Sequence, residues 1–241
     1  MKKQENGLIR ILNGFNGGQM TEKKLDTEFA KLARRLFFEG HFLVEGRRHI
    51  YLEQIEFYYH EEGENGIKDP VMYHTNDHEK RELHYFKVGH FNMHQSGVDV
   101  TFENPDKNKH YRASFLIRAY SVVDPEKPKR YEKRSTFIYE DMFYMGVPMD
   151  ETIDIKWVVD NDDESSNWDS QGEWRQNVAD YEKDENGKYI KKNKEGEIDD
   201  SNGNYNKAKA KEGDEYFISS GKRYRKCPRK WRFIKNKKIS Q

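Results

Sequence analysis

Two charges stand inside segments that otherwise read as strands. Glu56 lies in the run 49–59 and Arg118 in the run 113–120. A carboxylate in a pocket could activate a water, and a guanidinium beside it could orient both. Period two along residues 52–59 places Leu52, Gln54, Glu56 and Tyr58 on one face, with Glu53, Ile55, Phe57 and Tyr59 on the other. Ser114, Leu116, Arg118 and Tyr120 share a face of the second segment. On pattern alone, an exposed cross-strand ion pair explains Glu56 and Arg118 as well as a shared pocket does.

Other chemistry is weaker. All nine histidines fall between residues 41 and 110. His74 and His78, like His90 and His94, have the i, i+4 spacing of helical zinc ligands. His90–His94 reads as strand, however, where residues four apart are roughly 13 Å apart and cannot share an ion. Clustered surface or pocket histidines are the plainer reading, and no metal site is assigned. The segment Gly14-Phe-Asn-Gly17-Gly18 lacks the Lys-Ser/Thr of a phosphate loop and reads as a turn. Cys227 stands among Arg225, Lys226 and Arg229, which favour a thiolate, but no base adjoins it in sequence.

The elements that must position these residues follow from hydropathy. Only 34% of the 241 residues are apolar, so the core is confined to part of the chain. Aromatics make up 14%, which suits a sheet-built core. Residues 21–38 predict an amphipathic helix, capped by Thr21 and carrying Leu25, Phe29, Leu32 and Leu36 at helical spacing. Residues 41–59 predict two strands around a turn at Gly46. Residues 60–80 read as loop, and 82–94 as a strand pair around Gly89. From 98 to 103, Val98, Val100 and Phe102 alternate with Asp99, Thr101 and Glu103. Residues 104–110 read as a turn and 111–123 as the most apolar strand. Beyond 124 the pattern weakens, with a short helix expected within 139–149. The sequence therefore predicts an α+β fold, a mostly antiparallel curved β-sheet with flanking helices. It reads as a single domain over 1–241, with a polar acidic insertion at about 150–215.

Net charge is zero but unevenly spread. Residues 222–238 hold ten Lys/Arg and no acid, while 150–216 hold twenty acids and ten bases. A basic end beside an acidic middle points to a polyanion partner or to a solvated tail. A lone cysteine excludes an intrachain disulfide framework. With no apolar leader at the N-terminus and no run long enough to span a bilayer, a cytoplasmic protein is expected.

Several segments, taken in order, resemble the alkyladenine (3-methyladenine) DNA glycosylase family. Lys31-Leu-Ala-Arg-Arg-Leu36 is similar to its early helix, and His41-Phe-Leu-Val44 to its first strand. Leu52-Glu-Gln-Ile-Glu56-Phe-Tyr58 resembles its VETEAY strand, and Met72-Tyr-His74 falls at its AAH histidine. Phe86-Lys-Val-Gly89 resembles the strand start after KPG. Ser114-Phe-Leu-Ile-Arg118-Ala-Tyr120 resembles VLLRALEP, and Pro228-Arg-Lys-Trp-Arg-Phe233 with Ser240 resembles the closing segment. The match spans roughly 25–124 and 222–240.

The resemblance implies a methylpurine-DNA glycosylase-like fold and hydrolysis of the N-glycosidic bond of an alkylated purine. Glu56 would activate the water and Arg118 would hold both. Tyr58 and His74 would flank a flipped base. Ser96, before Gly97, falls where the family carries its Tyr wedge, and Glu103 or Asn104 where an Asn reads the base. Arg225, Lys226, Arg229 and Lys230 would contact phosphates of double-stranded DNA. No cofactor and no membrane are implied, and a monomer is expected. The alternative is a non-catalytic protein of the same fold that binds nucleic acid, a nucleobase or a protein.

Overall fold

The computed structural model describes residues 7–63, 65–72, 74–76, 81–106, 110–143, 152–160, 168–176, 178, 181–183, 185, 189–191, 216–219, 222–225 and 227–235, with backbone alone for the strands after Tyr181 and before Cys227. The chain divides into two compact units. One comprises Met1–Gly172 with Trp231–Gln241, the other Glu173–Lys230.

The first unit opens with α1 (Gly7–Asn13) and α2 (Glu22–Phe38). Thr21 caps α2, its hydroxyl accepting from the Lys24 amide at 3.3 Å. Leu25, Phe29, Leu32 and Leu36 are all buried, as their spacing predicts. Burial of each such side chain contributes about 1.5–3 kcal/mol. The helix lies on a curled antiparallel sheet, a half-barrel. Its strands are β1 (His41–Val44), β2 (Arg48–Glu61), β3 (Phe91–His94), β4 (Gly97–Thr101), β5 (Tyr111–Asp124), β6 (Lys127–Glu132), β7 (Ile155–Val158) and β12 (Arg232–Ile234). The order runs β3-β4-β5-β2-β1-β7, with β12 also on β2 and β6 also on β5. A short α3 (Ile138–Met142) follows β6.

The β1–β2 turn passes through Glu45 and Gly46, both left-handed at φ of 52° and 64°. Residues 82–90 contain no strand, although the sequence predicts a pair there. Their backbone groups bond elsewhere: the Phe86 amide donates to Glu103 at 2.7 Å, and Lys87 accepts from the Thr101 hydroxyl at 2.9 Å. The helix expected within 139–149 forms only over Ile138–Met142, and 144–150 lie outside the described residues.

Each long strand shows two chemically distinct faces. Ile55, Phe57 and Tyr59 of β2 join Val98 and Val100 of β4 and Phe115 and Ile117 of β5 in one buried apolar face. Phe29 of α2 stacks on Phe57 at 4.4 Å and meets Trp231 edge-on at 5.2 Å. The opposite face is polar. It carries Glu56 and Tyr58 on β2, Ser114 and Arg118 on β5, and Asp99 and Thr101 on β4. The strand registers lay these out in rows, with Glu56 opposite Leu116 and Leu116 opposite Asp99, then Tyr58 opposite Ser114 and Ser114 opposite Thr101.

The second unit contains two hairpins, β8 (Tyr181–Lys183) with β9 (Tyr189–Lys191), and β10 (Tyr216–Ser219) with β11 (Lys222–Arg225). Cys227 is buried there, and an Arg175 Nη2 lies 3.2 Å from its sulfur. Among the described residues, no helix is long and apolar enough to cross a membrane.

Candidate functional site

Glu56 and Arg118 do meet. Arg118 donates through Nε to Glu56 Oε2 at 2.9 Å and through Nη2 to Oε1 at 3.0 Å, a bidentate pair. The Tyr58 hydroxyl donates to the same Oε1 at 2.7 Å. Glu56 is fully buried. Burial acts to lower the Arg118 pKa, but the Glu56 carboxylate overcomes it and holds the guanidinium above its ordinary value.

A cavity of about 160 Å³ opens on the polar sheet face beside this pair. That volume holds one small ring system rather than a larger ligand. Tyr58 comes from β2, Ser114 from β5, and Asp99 and Thr101 from β4, with Glu103 just beyond. Asn92, His94 and Ser96 come from the β3–β4 hairpin. Val71, Met72, His74 and Phe86 close the cavity from the segment between β2 and β3. His74 stacks on Phe86 at 4.1 Å, and Phe86 on His90 at 4.9 Å. The His74 ring also bonds the His84 carbonyl at 3.0 Å.

Of the residues singled out in the sequence for a base site, Tyr58, His74, Ser96 and Glu103 line this cavity together. Glu56 and Arg118 do not line it. They connect to it through the Tyr58 hydroxyl. Arg229 is half-buried and Lys230 exposed, its Nζ 5.4 Å from the Trp174 ring. Arg225 contributes backbone to β11, and Lys226 lies outside the described residues.

The sequence reading gave too little weight to Arg112, Glu62, Asp99 and Glu103. Arg112 is fully buried. Its Nε donates to Glu62 at 2.6 Å and its Nη1 to Glu103 Oε2 at 3.3 Å. Its other hydrogens go to Asn76 and to the Leu83 and His84 carbonyls, and its plane lies 4.1 Å from the Tyr85 ring centre. One cation thus faces two carboxylates. Burial drives the Glu103 carboxyl up to about 7, against the lowering effect of the Phe86 amide and Arg112. Its Oε1 is buried with no hydrogen-bond partner among the described residues. Asp99 is also buried. His94 Nε2 lies 3.2 Å from its Oδ2. Asp99 Oδ1 has no hydrogen-bond partner among the described residues.

Two signals mark these residues. Asp99, Thr101 and Glu103 alternate with an apolar triplet, and Arg112 has the same parity on its strand as Arg118. No cluster of three or more His, Cys, Asp or Glu suited to a metal ion occurs among the described residues. The cavity's polar wall carries two carboxyls, two imidazoles, hydroxyls and an amide, with no lysine or arginine among the described residues that line it. Comparison of the chain with family models, with curated proteins and with solved structures finds no match.

Proposed function

We propose that the protein hydrolyses the N-glycosidic bond of an alkylated purine in DNA, with the base seated in the cavity on the polar sheet face. The observation that carries this reading is the convergence of Tyr58, His74 and Ser96, from three separate segments, on one cavity whose polar wall is acidic. In this reading Tyr58 and His74 flank the base, since electron-rich rings suit a cationic purine. Glu56 and Arg118 act as positioning residues that hold the Tyr58 hydroxyl. Ser96 is too small to fill the stack left by a flipped base, so unpaired or mismatched sites are the favoured substrates.

The test is release of free base from oligonucleotides carrying N-alkylated purines, single-stranded and duplex, followed by chromatography. Release is expected, faster from single strands and mismatches. A second reading is favoured by the closure of Glu56: a carboxylate clamped by Arg118 and removed from solvent is a poor base, as in a non-catalytic nucleobase-binding protein. Tight oligonucleotide binding with no release from any lesion would establish that second reading.

A further inference from the structure

We infer that Asp99 and Glu103 form an acid–base pair across this cavity, Glu103 donating a proton to the departing base and Asp99 accepting one from the attacking water. The inference rests on the N-glycosidic reading and assigns its chemistry to residues other than Glu56. Both carboxyls line the cavity, and both residues are only 4% exposed. Each is anchored through one oxygen. Asp99 Oδ2 faces His94 Nε2, and Glu103 Oε2 accepts from the Phe86 amide and from Arg112. In each, the second oxygen has no hydrogen-bond partner among the described residues. A buried carboxyl oxygen left unmatched is costly, and a bound substrate or water would match it.

Position supports a division of labour. Asp99 lies on β4 and Glu103 just beyond its end, four residues on, and both line the cavity. Their surroundings also differ. Glu103 is faced by Arg112 from β5, by Glu62 at the end of β2 and by Tyr85, whereas Asp99 is faced by His94 from β3 and by Tyr139. The two carboxyls therefore meet a bound molecule with different neighbours, a guanidinium and a second carboxylate at Glu103, an imidazole and a phenol at Asp99.

The step balances. Water oxygen bonds to the anomeric carbon as its proton passes to Asp99. The carbon–nitrogen bond breaks, and its electron pair stays with the base nitrogen, which takes the Glu103 proton. Solvent then returns a proton from Asp99 to Glu103. The products are free base and an abasic site in the strand.

The test compares the wild-type protein, Asp99→Asn and Glu103→Gln on two oligonucleotides. In one, the scissile base is neutral and needs a proton to leave. In the other it is a permanently cationic N-alkylated purine. Glu103→Gln is expected to lower kcat at least 100-fold on the neutral base and less than 5-fold on the cationic one. Asp99→Asn is expected to lower kcat at least 100-fold on both, and azide, a nucleophile that needs no base, is expected to restore turnover as the glycosyl azide. A folding defect would depress both substrates in Glu103→Gln and resist azide in Asp99→Asn, and either pattern overturns the pair. Wild-type rates in Asp99→Asn overturn it while leaving the N-glycosidic reading intact. No release by the wild-type protein on either substrate overturns both.

Discussion

Strand β5 carries two arginines six residues apart on the same face, Arg112 fully buried and Arg118 half-buried, and they are used in opposite ways. Arg118 meets a single carboxylate, Glu56, through two parallel hydrogen bonds, and Tyr58 completes the set. Arg112 is divided between Glu62 and Glu103 and spends its remaining donors on Asn76 and two backbone carbonyls. One site is matched charge for charge. The other has a carboxylate in excess; burial raises the Glu103 carboxyl, Arg112 offsets this only in part, and Glu62 adds to the rise. A guanidinium shared between two carboxylates and three neutral acceptors leaves burial the larger influence on Glu103. Arg118 and Glu56 looked the more reactive pair in sequence because each was an isolated charge in an apolar run. Their isolation is what makes them close on each other.

The largest effect should come from breaking the matched site. Glu56→Gln leaves Arg118 with an uncompensated buried charge, for an expected loss of about 3–5 kcal/mol in urea denaturation. Replacing both by leucine should recover most of that loss, and failure to recover would mean the pair has a use beyond stability. Arg112→Met should come next. It leaves Glu62 and Glu103 facing each other, so stability at pH 8 should fall by about 3 kcal/mol, and by less at pH 5, where Glu103 is protonated.

The wild-type protein should show a related slope. Glu103 rises from an ordinary 4.5 to about 7 on folding. Below pH 4.5 both states are protonated and nothing is lost. Between 4.5 and 7 the unfolded chain releases a proton that the folded chain keeps, so stability should fall with rising pH, by at most about 3 kcal/mol, and then level off. Glu103→Gln should remove this slope, and denaturation midpoints across pH measure it. The smallest effect has the opposite sign. The side-chain hydrogen bond from Arg134 holds Glu132 down to about 2. Stability from this pair should be present above pH 4.5 and disappear as pH falls toward 2. Arg134 is exposed, so water screens the pair, and Arg134→Gln should shift the acid limb only slightly.

Much of this architecture is legible from periodicity. Helix α2 and its cap, the β1–β2 turn, and the alternation of Val98, Val100 and Phe102 with Asp99, Thr101 and Glu103 need no tertiary information. The elements missed are those with little apolar pattern. Helix α1 has seven residues and too few for periodicity to count. Strand β6, Lys127–Glu132, is an edge strand rich in exposed lysine and arginine, held by its ladder with β5 rather than by a buried face. The convergence of Tyr58 and His74 on one cavity was expected from the resemblance. The importance of Arg112 was not, because it lies at the start of a strand next to a polar turn, where a charge looks ordinary.

The sequence alone determined which face of each strand is apolar, because alternation and burial follow from the pleat whatever the partner strand is. It therefore determined that Glu56, Tyr58, Arg118, Asp99 and Glu103 avoid the core behind the sheet. It could not determine which of these charges neutralise one another. That depends on register, and register lays Glu56, Leu116 and Asp99 in one row and Tyr58, Ser114 and Thr101 in the next. A slip of two residues would keep every face and re-pair every charge. Tertiary structure made that choice, closing Arg118 onto Glu56 and leaving the carboxyls of Asp99 and Glu103 at the cavity.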